Sequence, residues 1–136
     1  MDLVSFLLEK TGTLGKDCFE YNNRIIFLVK KDDMGKVIGE SGNKIIGLRK
    51  ELKKNIDIIA YNPDFTEFIK NIFYPIHILS VNIKNAEIEV VVDKENIGRA
   101  IGRQGSNLSK MKFIIDRHFL GVKRIHVIRK SENNRQ

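Results

Sequence analysis

A repeated glycine motif constrains this chain more than any other feature of its sequence. Residues 34–45 read Met-Gly-Lys-Val-Ile-Gly-Glu-Ser-Gly-Asn-Lys-Ile, and residues 97–108 read Ile-Gly-Arg-Ala-Ile-Gly-Arg-Gln-Gly-Ser-Asn-Leu. The two stretches align without a gap at an offset of 63 residues, so that three glycines and one isoleucine coincide. One Gly-x-x-Gly is common, but two in one register, each after Gly-Lys-x-Ile or Gly-Arg-x-Ile, indicate an internal repeat.

The residues around each motif predict the same order of elements, α-β-β-α-α-β. In the first half, the pattern predicts helices over residues 3–10, from Asp32 or Asp33 to about Ile38, and 43–54, with strands over 17–21, 24–30 and 55–61. In the second half it predicts helices from Asp64 to before Pro75, from Asp93 to about Ile101, and from Ser106 or Asn107 to about Leu120, with strands over 76–84, 87–92 and 122–129. The aspartates are predicted to cap the helices that follow them.

The repeat also predicts the domain organisation. We expect one domain over residues 1–61, a second over 62–130 and a disordered tail over 131–136. Units of this size bury only about 60% of the surface that their unfolded chains expose, and they are marginally stable alone. We therefore expect the two halves to pack against each other as one rigid body.

The charge of the chain favours a polyanionic partner. Its net charge is +7, of which residues 64–136 contribute +5, and a basic surface of this kind is typical of proteins that bind nucleic acid.

No apolar run is long enough to span a bilayer, and the N-terminus does not resemble a signal peptide. The single cysteine, Cys18, excludes an internal disulfide and suits a reducing compartment, so we expect a cytoplasmic protein without a membrane partner.

A Gly-x-x-Gly loop followed directly by a helix has a physical use. Glycines let the backbone turn sharply and approach a ligand closely. The first N–H groups of the next helix are unpaired and lie at the positive end of its dipole, which suits a phosphate. A tight helix–helix turn that needs glycine is the structural alternative for one isolated motif, and the duplication and basic charge favour the phosphate interpretation.

The motif resembles the signature of the KH domain, since Val-Ile-Gly-x-x-Gly-x-x-Ile at 37–45 and Ala-Ile-Gly-x-x-Gly-x-x-Leu at 100–108 each lie between two predicted helices. The leading helix and strand of each half resemble the type II arrangement. The resemblance implies an α/β (α+β) fold of two tandem type II KH domains, each with a three-stranded mixed sheet and helices packed on one face. Two such units in close tandem resemble the KH pair of the NusA-like family of transcription termination and elongation factors, in its short archaeal form.

The resemblance implies that each loop clamps single-stranded RNA, about four nucleotides per KH domain. The implied RNA-binding residues are Lys36, Ile38, Gly39, Glu40, Ser41, Gly42, Lys44, Arg99, Ile101, Gly102, Arg103, Gln104, Gly105 and Lys110. The loop amides and cations would hold phosphates. The bases would lie over an apolar groove formed by Val37, Ile38 and Ile45 in the first unit, and by Ala100, Ile101 and Leu108 in the second, bordered there by Ile125 and Val127.

One residue departs from this pattern. The first loop carries Glu40 where the second carries Arg103, and a carboxylate beside the phosphate path is unfavourable. We therefore expect the first unit to bind RNA more weakly than the second, or to act mainly as scaffold.

The sequence leaves three functions open. The favoured one is single-stranded RNA binding in transcription termination or elongation control, with RNA polymerase or a transcription complex as a possible partner. The alternatives are an RNA-binding factor in ribosome assembly and a KH-fold protein-interaction module with little RNA binding. We expect no enzyme activity, since no nucleotide-binding Gly-x-x-x-x-Gly-Lys motif or catalytic spacing is present. We expect no metal, because the histidines and Cys18 lack zinc-ligand spacing. We also expect no cofactor, and a monomer.

Overall fold

The computed structural model describes residues 2–131, so the predicted disordered tail lies outside the described residues except for Ser131. The first unit contains α1 (Leu3–Thr11), β1 (Asp17–Tyr21), β2 (Arg24–Lys30), α2 (Met34–Ile38), α3 (Asn43–Leu52) and β3 (Asn55–Tyr61). Then follow α4 (Phe65–Phe73), β4 (Ile78–Lys84), β5 (Glu87–Val92), α5 (Ile97–Ile101), α6 (Ser106–His118) and β6 (Arg124–Arg129). The predicted order α-β-β-α-α-β is therefore confirmed in both halves.

Each half forms one three-stranded mixed sheet. In the first sheet β2 is central, antiparallel to β1 and parallel to β3, and β5 has the same place between β4 and β6 in the second sheet. The Tyr21–Arg24 pair closes the first hairpin, and Asn22 and Asn23 between them have φ of 47° and 62°. Positive φ at both positions is typical of the two-residue turn that matches the twist of a hairpin.

The core of the first unit lies on one face of its sheet. Ile25, Phe27 and Val29 alternate along β2 and point to that face, where helices α1, α2 and α3 contribute Leu7, Val37, Ile45 and Leu48. All five residues from Ile25 to Val29 are buried, so β2 is buried on both faces.

The second unit repeats this arrangement with its own residues. Ile88, Val90 and Val92 alternate along β5 and are buried, while α5 and α6 both pack against β6. Met111, Ile114 and Ile115 form the buried side of α6. Among the described residues, no helix is long and apolar enough to cross a membrane.

Two of the predicted helix caps are wrong. Asp64 does cap α4, because its Oδ2 accepts a hydrogen bond from the Glu67 N–H at 3.0 Å. Neither Asp33 nor Asp93 accepts a capping bond through its side chain. Here the chain enters α2 and α5 through short 3-10 turns, Lys31–Asp33 and Lys94–Asn96, whose backbone begins the helix without a side-chain cap.

The two long helices end earlier than predicted. Helix α3 ends at Leu52 because Lys53 adopts the left-handed conformation, with φ of 56°. Helix α6 ends at His118 because Phe119 is extended, with φ of −136°. Both departures come from single residues whose backbone conformation hydrophobic periodicity does not reveal.

The chain divides into two compact units, Met1–Asn71 and Ile72–Gln136. This division falls within α4, whereas the sequence placed the boundary before Asn62. The first seven residues of α4 group with the first unit, where Asn71 Nδ2 donates to the Ala60 carbonyl at 2.9 Å and the rings of Tyr61 and Phe68 lie 5.3 Å apart.

Candidate nucleic-acid interface

The two Gly-x-x-Gly loops connect α2 to α3 and α5 to α6, and they have the same backbone geometry. The first glycine, Gly39 or Gly102, has φ of 80° in both loops, with ψ of 172° and 166°. A Cβ on Gly39 would meet the Lys44 Cβ at 2.6 Å, and one on Gly102 would meet the Asn107 backbone N at 2.6 Å. Both conformation and space therefore require glycine at this position.

The second half of each loop is left-handed as well. Ser41 and Gln104 have φ of 53° and 55°, although neither is glycine. The last glycine, Gly42 or Gly105, has φ of 75° in both loops. Left-handed residues other than glycine are uncommon and cluster at functional sites. Such a conformation, present in both loops, points to these segments as the candidate site.

The loop amides divide into two groups. In the second loop the Gly102 N–H donates to the Gly98 carbonyl at 2.8 Å, and the Gly105 N–H donates to the Gly102 carbonyl at 3.1 Å. Within the described part of the chain, the backbone N–H groups of Arg103 and Gln104 have no acceptor. Only these two middle amides are therefore available to a ligand, whereas the sequence had assigned phosphate contacts to all four residues from Gly102 to Gly105.

The first loop shows the same division. The Gly39 N–H donates to Gly35 at 2.9 Å and the Gly42 N–H donates to Gly39 at 3.1 Å. Its two middle residues are Glu40 and Ser41, both exposed. The free amides of the first loop thus lie beside a carboxylate, and those of the second loop lie beside a guanidinium.

A side-chain hydrogen bond that was not predicted from the sequence spans the second loop. Asn107 Nδ2, in the first turn of α6, donates to the carbonyl of the buried Ala100 at 2.8 Å. The bond links the end of α5 to the start of α6 across the loop. The aligned residue of the first unit is Lys44, which has no side-chain amide to act in this way. The only signal in the sequence was an asparagine at a helix start.

The cations at the two loops differ in their surroundings. Arg99 and Arg103 are exposed, and Lys110 is half-buried one turn into α6. In the first unit Lys44 is exposed, while the Lys36 Nζ lies 3.8 Å from the Asp33 carboxylate. The positive charge at the first loop is therefore reduced by both Asp33 and Glu40.

Part of the predicted apolar groove is wrong. Val37 and Ala100 are fully buried, and Ile45 and Val127 are buried as well, so these four side chains belong to the core. The predicted groove residues that remain partly exposed are Ile38, Ile101, Leu108 and Ile125. Ile46, which the sequence analysis did not single out, is 47% exposed on α3.

Other polar clusters lie outside the loops. On the second sheet, the pKa of the Glu87 carboxyl lies below its usual value, because His126 hydrogen-bonds to it at 2.8 Å and the charge of Arg124 also favours the ionised form. Among the described residues, no group of three histidine, cysteine or acidic side chains is arranged to hold a metal ion.

Two α-β-β-α-α-β units, each with a Gly-x-x-Gly loop between its central helices, define a protein with tandem type II KH domains. A family model described as "NusA-like second KH domain" matches residues 65–134. The chain therefore belongs to the NusA-like KH family.

Relatives of known name agree with this assignment. The probable transcription termination protein NusA of Methanococcus vannielii is 34% identical, over 97% of this chain and 80% of the relative. That of Methanocaldococcus jannaschii is 35% identical, over 75% of this chain and 58% of the relative. The crystal structure of APE1850 is similar in fold, with a TM-score of 0.78 and 31% identity over 92% of this chain and 94% of that one.

Proposed function

We propose that this protein binds single-stranded RNA through its Gly-x-x-Gly loops and acts in the control of transcription termination or elongation. The observation that carries the proposal is the shared conformation of the two loops, each with two middle residues whose amides are free, in a member of the NusA-like KH family. The function in transcription follows the names of the relatives, which are probable transcription termination proteins.

In the second unit, an RNA phosphate would accept hydrogen bonds from the amides of Arg103 and Gln104. The start of α6 follows at Ser106, and its dipole favours an anion at this place. Arg99 and Arg103 would add positive charge. The adjacent bases would contact the partly exposed Ile101 and Leu108, which are less buried than the core residue Ala100.

The first unit would contribute less binding energy. Its free amides belong to Glu40 and Ser41, so an incoming phosphate meets a carboxylate, and Lys36 already pairs with Asp33. This observation also supports a second candidate function for the first unit, as a KH-fold module that contacts protein rather than RNA.

We propose that the protein binds RNA without catalysing a reaction. It would act in the cytoplasm as a monomer, and it would contact nascent RNA and, through that RNA, the RNA polymerase. RNA recovered with the protein from cells by crosslinking and sequencing should consist mainly of nascent transcripts, with reads near transcript ends. Predominant recovery of ribosomal RNA would instead favour a factor in ribosome assembly. No enrichment over a matched control carrying Arg103→Asp and Gln104→Asp would favour a protein-interaction module.

A further inference from the structure

An open cavity of about 340 Å³ lies at the C-terminal end of α3, opposite to the end that carries the Gly-x-x-Gly loop. Residues from α3, the start of β3 and the β1–β2 turn line it, and we name this site the basic pocket: Asn23, Arg49, Lys50, Lys53, Lys54 and Asn55. Four of its six residues are cations.

Most of this charge is not neutralised by the protein. Lys54 Nζ lies 2.6 Å from Glu20 Oε2, and Arg49 donates to the Ile56 carbonyl at 3.0 Å rather than to a carboxylate. Lys50 and Lys53 form no ion pair or hydrogen bond through their side chains with any residue that the structure describes. Three cations without a carboxylate partner around one cavity favour an anionic ligand.

Lys53 occupies an unfavourable backbone position. It follows α3 in the left-handed conformation, with φ of 56° and ψ of 37°, where glycine or asparagine is usual. The attraction of a cation to an exposed helix C-terminus is smaller than the conformational cost of a left-handed residue with a long side chain. The helix dipole alone therefore does not account for lysine at this position.

The exposed surface of α3 leads from the loop to the pocket. Gly47 is helical and exposed, and a Cβ there would meet nothing within 4 Å, so neither conformation nor packing requires glycine. Its missing side chain leaves the helix backbone open to close approach, one turn before Lys50. The ten residues of α3 span about 15 Å, a length of about four or five stacked nucleotides.

We propose that the basic pocket binds backbone phosphates of single-stranded RNA that is held at the Gly39–Gly42 loop and continues along α3. This inference rests on the proposed function. It would extend the RNA site of the first unit and offset the carboxylate of Glu40. The second unit does not repeat this set of cations, because the residues aligned with Arg49, Lys50 and Lys53 are Lys112, Phe113 and Asp116. Of these, the Lys112 Nζ pairs with Asp116 at 2.7 Å.

Lys50→Gln combined with Lys53→Gly tests the inference, since glycine suits the left-handed position and the fold should be kept. Affinity is measured for oligonucleotides of four and twelve nucleotides by fluorescence anisotropy. The variant should bind the twelve-nucleotide RNA at least threefold more weakly than wild type and bind the four-nucleotide RNA like wild type. Its salt slope should fall by about 0.7 for each phosphate that the pocket no longer binds.

The matched control is Lys30→Gln with Lys31→Gln, which removes the same charge at the opposite end of β2. Any loss of affinity from this control should be equal for the two lengths. If the pocket variant keeps wild-type affinity, or binds both lengths more weakly by the same factor, the pocket does not bind RNA although the proposed function stands. If wild type binds neither RNA, both fail. Lys50→Gln alone, on an exposed helix surface, provides the same comparison should the double variant not fold.

Discussion

Replacing Arg103 and Gln104 with aspartate should weaken the binding of single-stranded RNA by tenfold or more without unfolding the protein. Both residues are exposed and contribute no side chain to the core, so the fold should be kept. The substitutions place two carboxylates beside the two free amides and remove the guanidinium. A tenfold loss requires only about 1.4 kcal/mol of binding free energy. Affinity is measured at one salt concentration, with circular dichroism as the control for folding.

The corresponding change in the first loop is the matched control. Glu40→Asp with Ser41→Asp adds only one negative charge and begins from a loop that already contains a carboxylate. Its effect should therefore be smaller, while Glu40→Arg should tighten binding. Wild-type affinity of the second-loop variant would refute the role of the free amides. A larger loss from the first-loop variant would reverse our ranking of the two units.

Gly102→Ala should reduce the free energy of unfolding by about 2–4 kcal/mol, the sum of a strained backbone and a crowded Cβ. Its φ is 80° and a Cβ would lie 2.6 Å from the Asn107 backbone N. Gly98→Ala is the control within the same segment, because Gly98 is helical and exposed with open space around it. That substitution should stabilise the protein by up to about 1 kcal/mol. Urea unfolding followed by circular dichroism measures both.

Gly105→Ala separates the two causes of the loss. Gly105 has φ of 75° but nothing within 4 Å of its Cβ position. Alanine at this position therefore has a strained backbone but no steric clash. The expected reduction in the free energy of unfolding is about 1–2 kcal/mol. If Gly102→Ala lowers the free energy of unfolding no more than Gly105→Ala does, the close approach of α6 is not a reason for glycine at position 102.

The sequence predicted the strands well because their signals are local. Apolar runs next to the turn signals Asn22-Asn23, Asn62-Pro63 and Asn85-Ala86 determine β1, β2, β3 and β5, whose predicted bounds agree with the structure. The predicted starts of β4 and β6 and the predicted C-terminal ends of α3 and α6 were less accurate. Such boundaries depend on the backbone conformation of single residues, such as the left-handed Lys53, which hydrophobic periodicity does not predict.

The motif located the loops but did not determine which atoms are available in them. That Gly102 and Gly105 use their own N–H groups within the turn depends on the three-dimensional course of the backbone. Likewise, Val37 and Ala100 carry the apolar chemistry expected of a groove, yet their position on α2 and α5 places them in the core. The bond from Asn107 to Ala100 closes across the loop and requires the fold to be known.

The most direct test of the central claim is the affinity of the wild-type protein for single-stranded RNA and for duplex RNA of the same length at one salt concentration. A KH groove needs splayed bases, and a duplex hides its base edges in a groove that side chains cannot read. We expect clearly tighter binding of the single strand, with affinity falling by about 0.7 log units per phosphate contact for each tenfold increase in salt. Equal or tighter binding of the duplex would contradict single-strand recognition by the KH loops, and would indicate that RNA binds only to a basic surface.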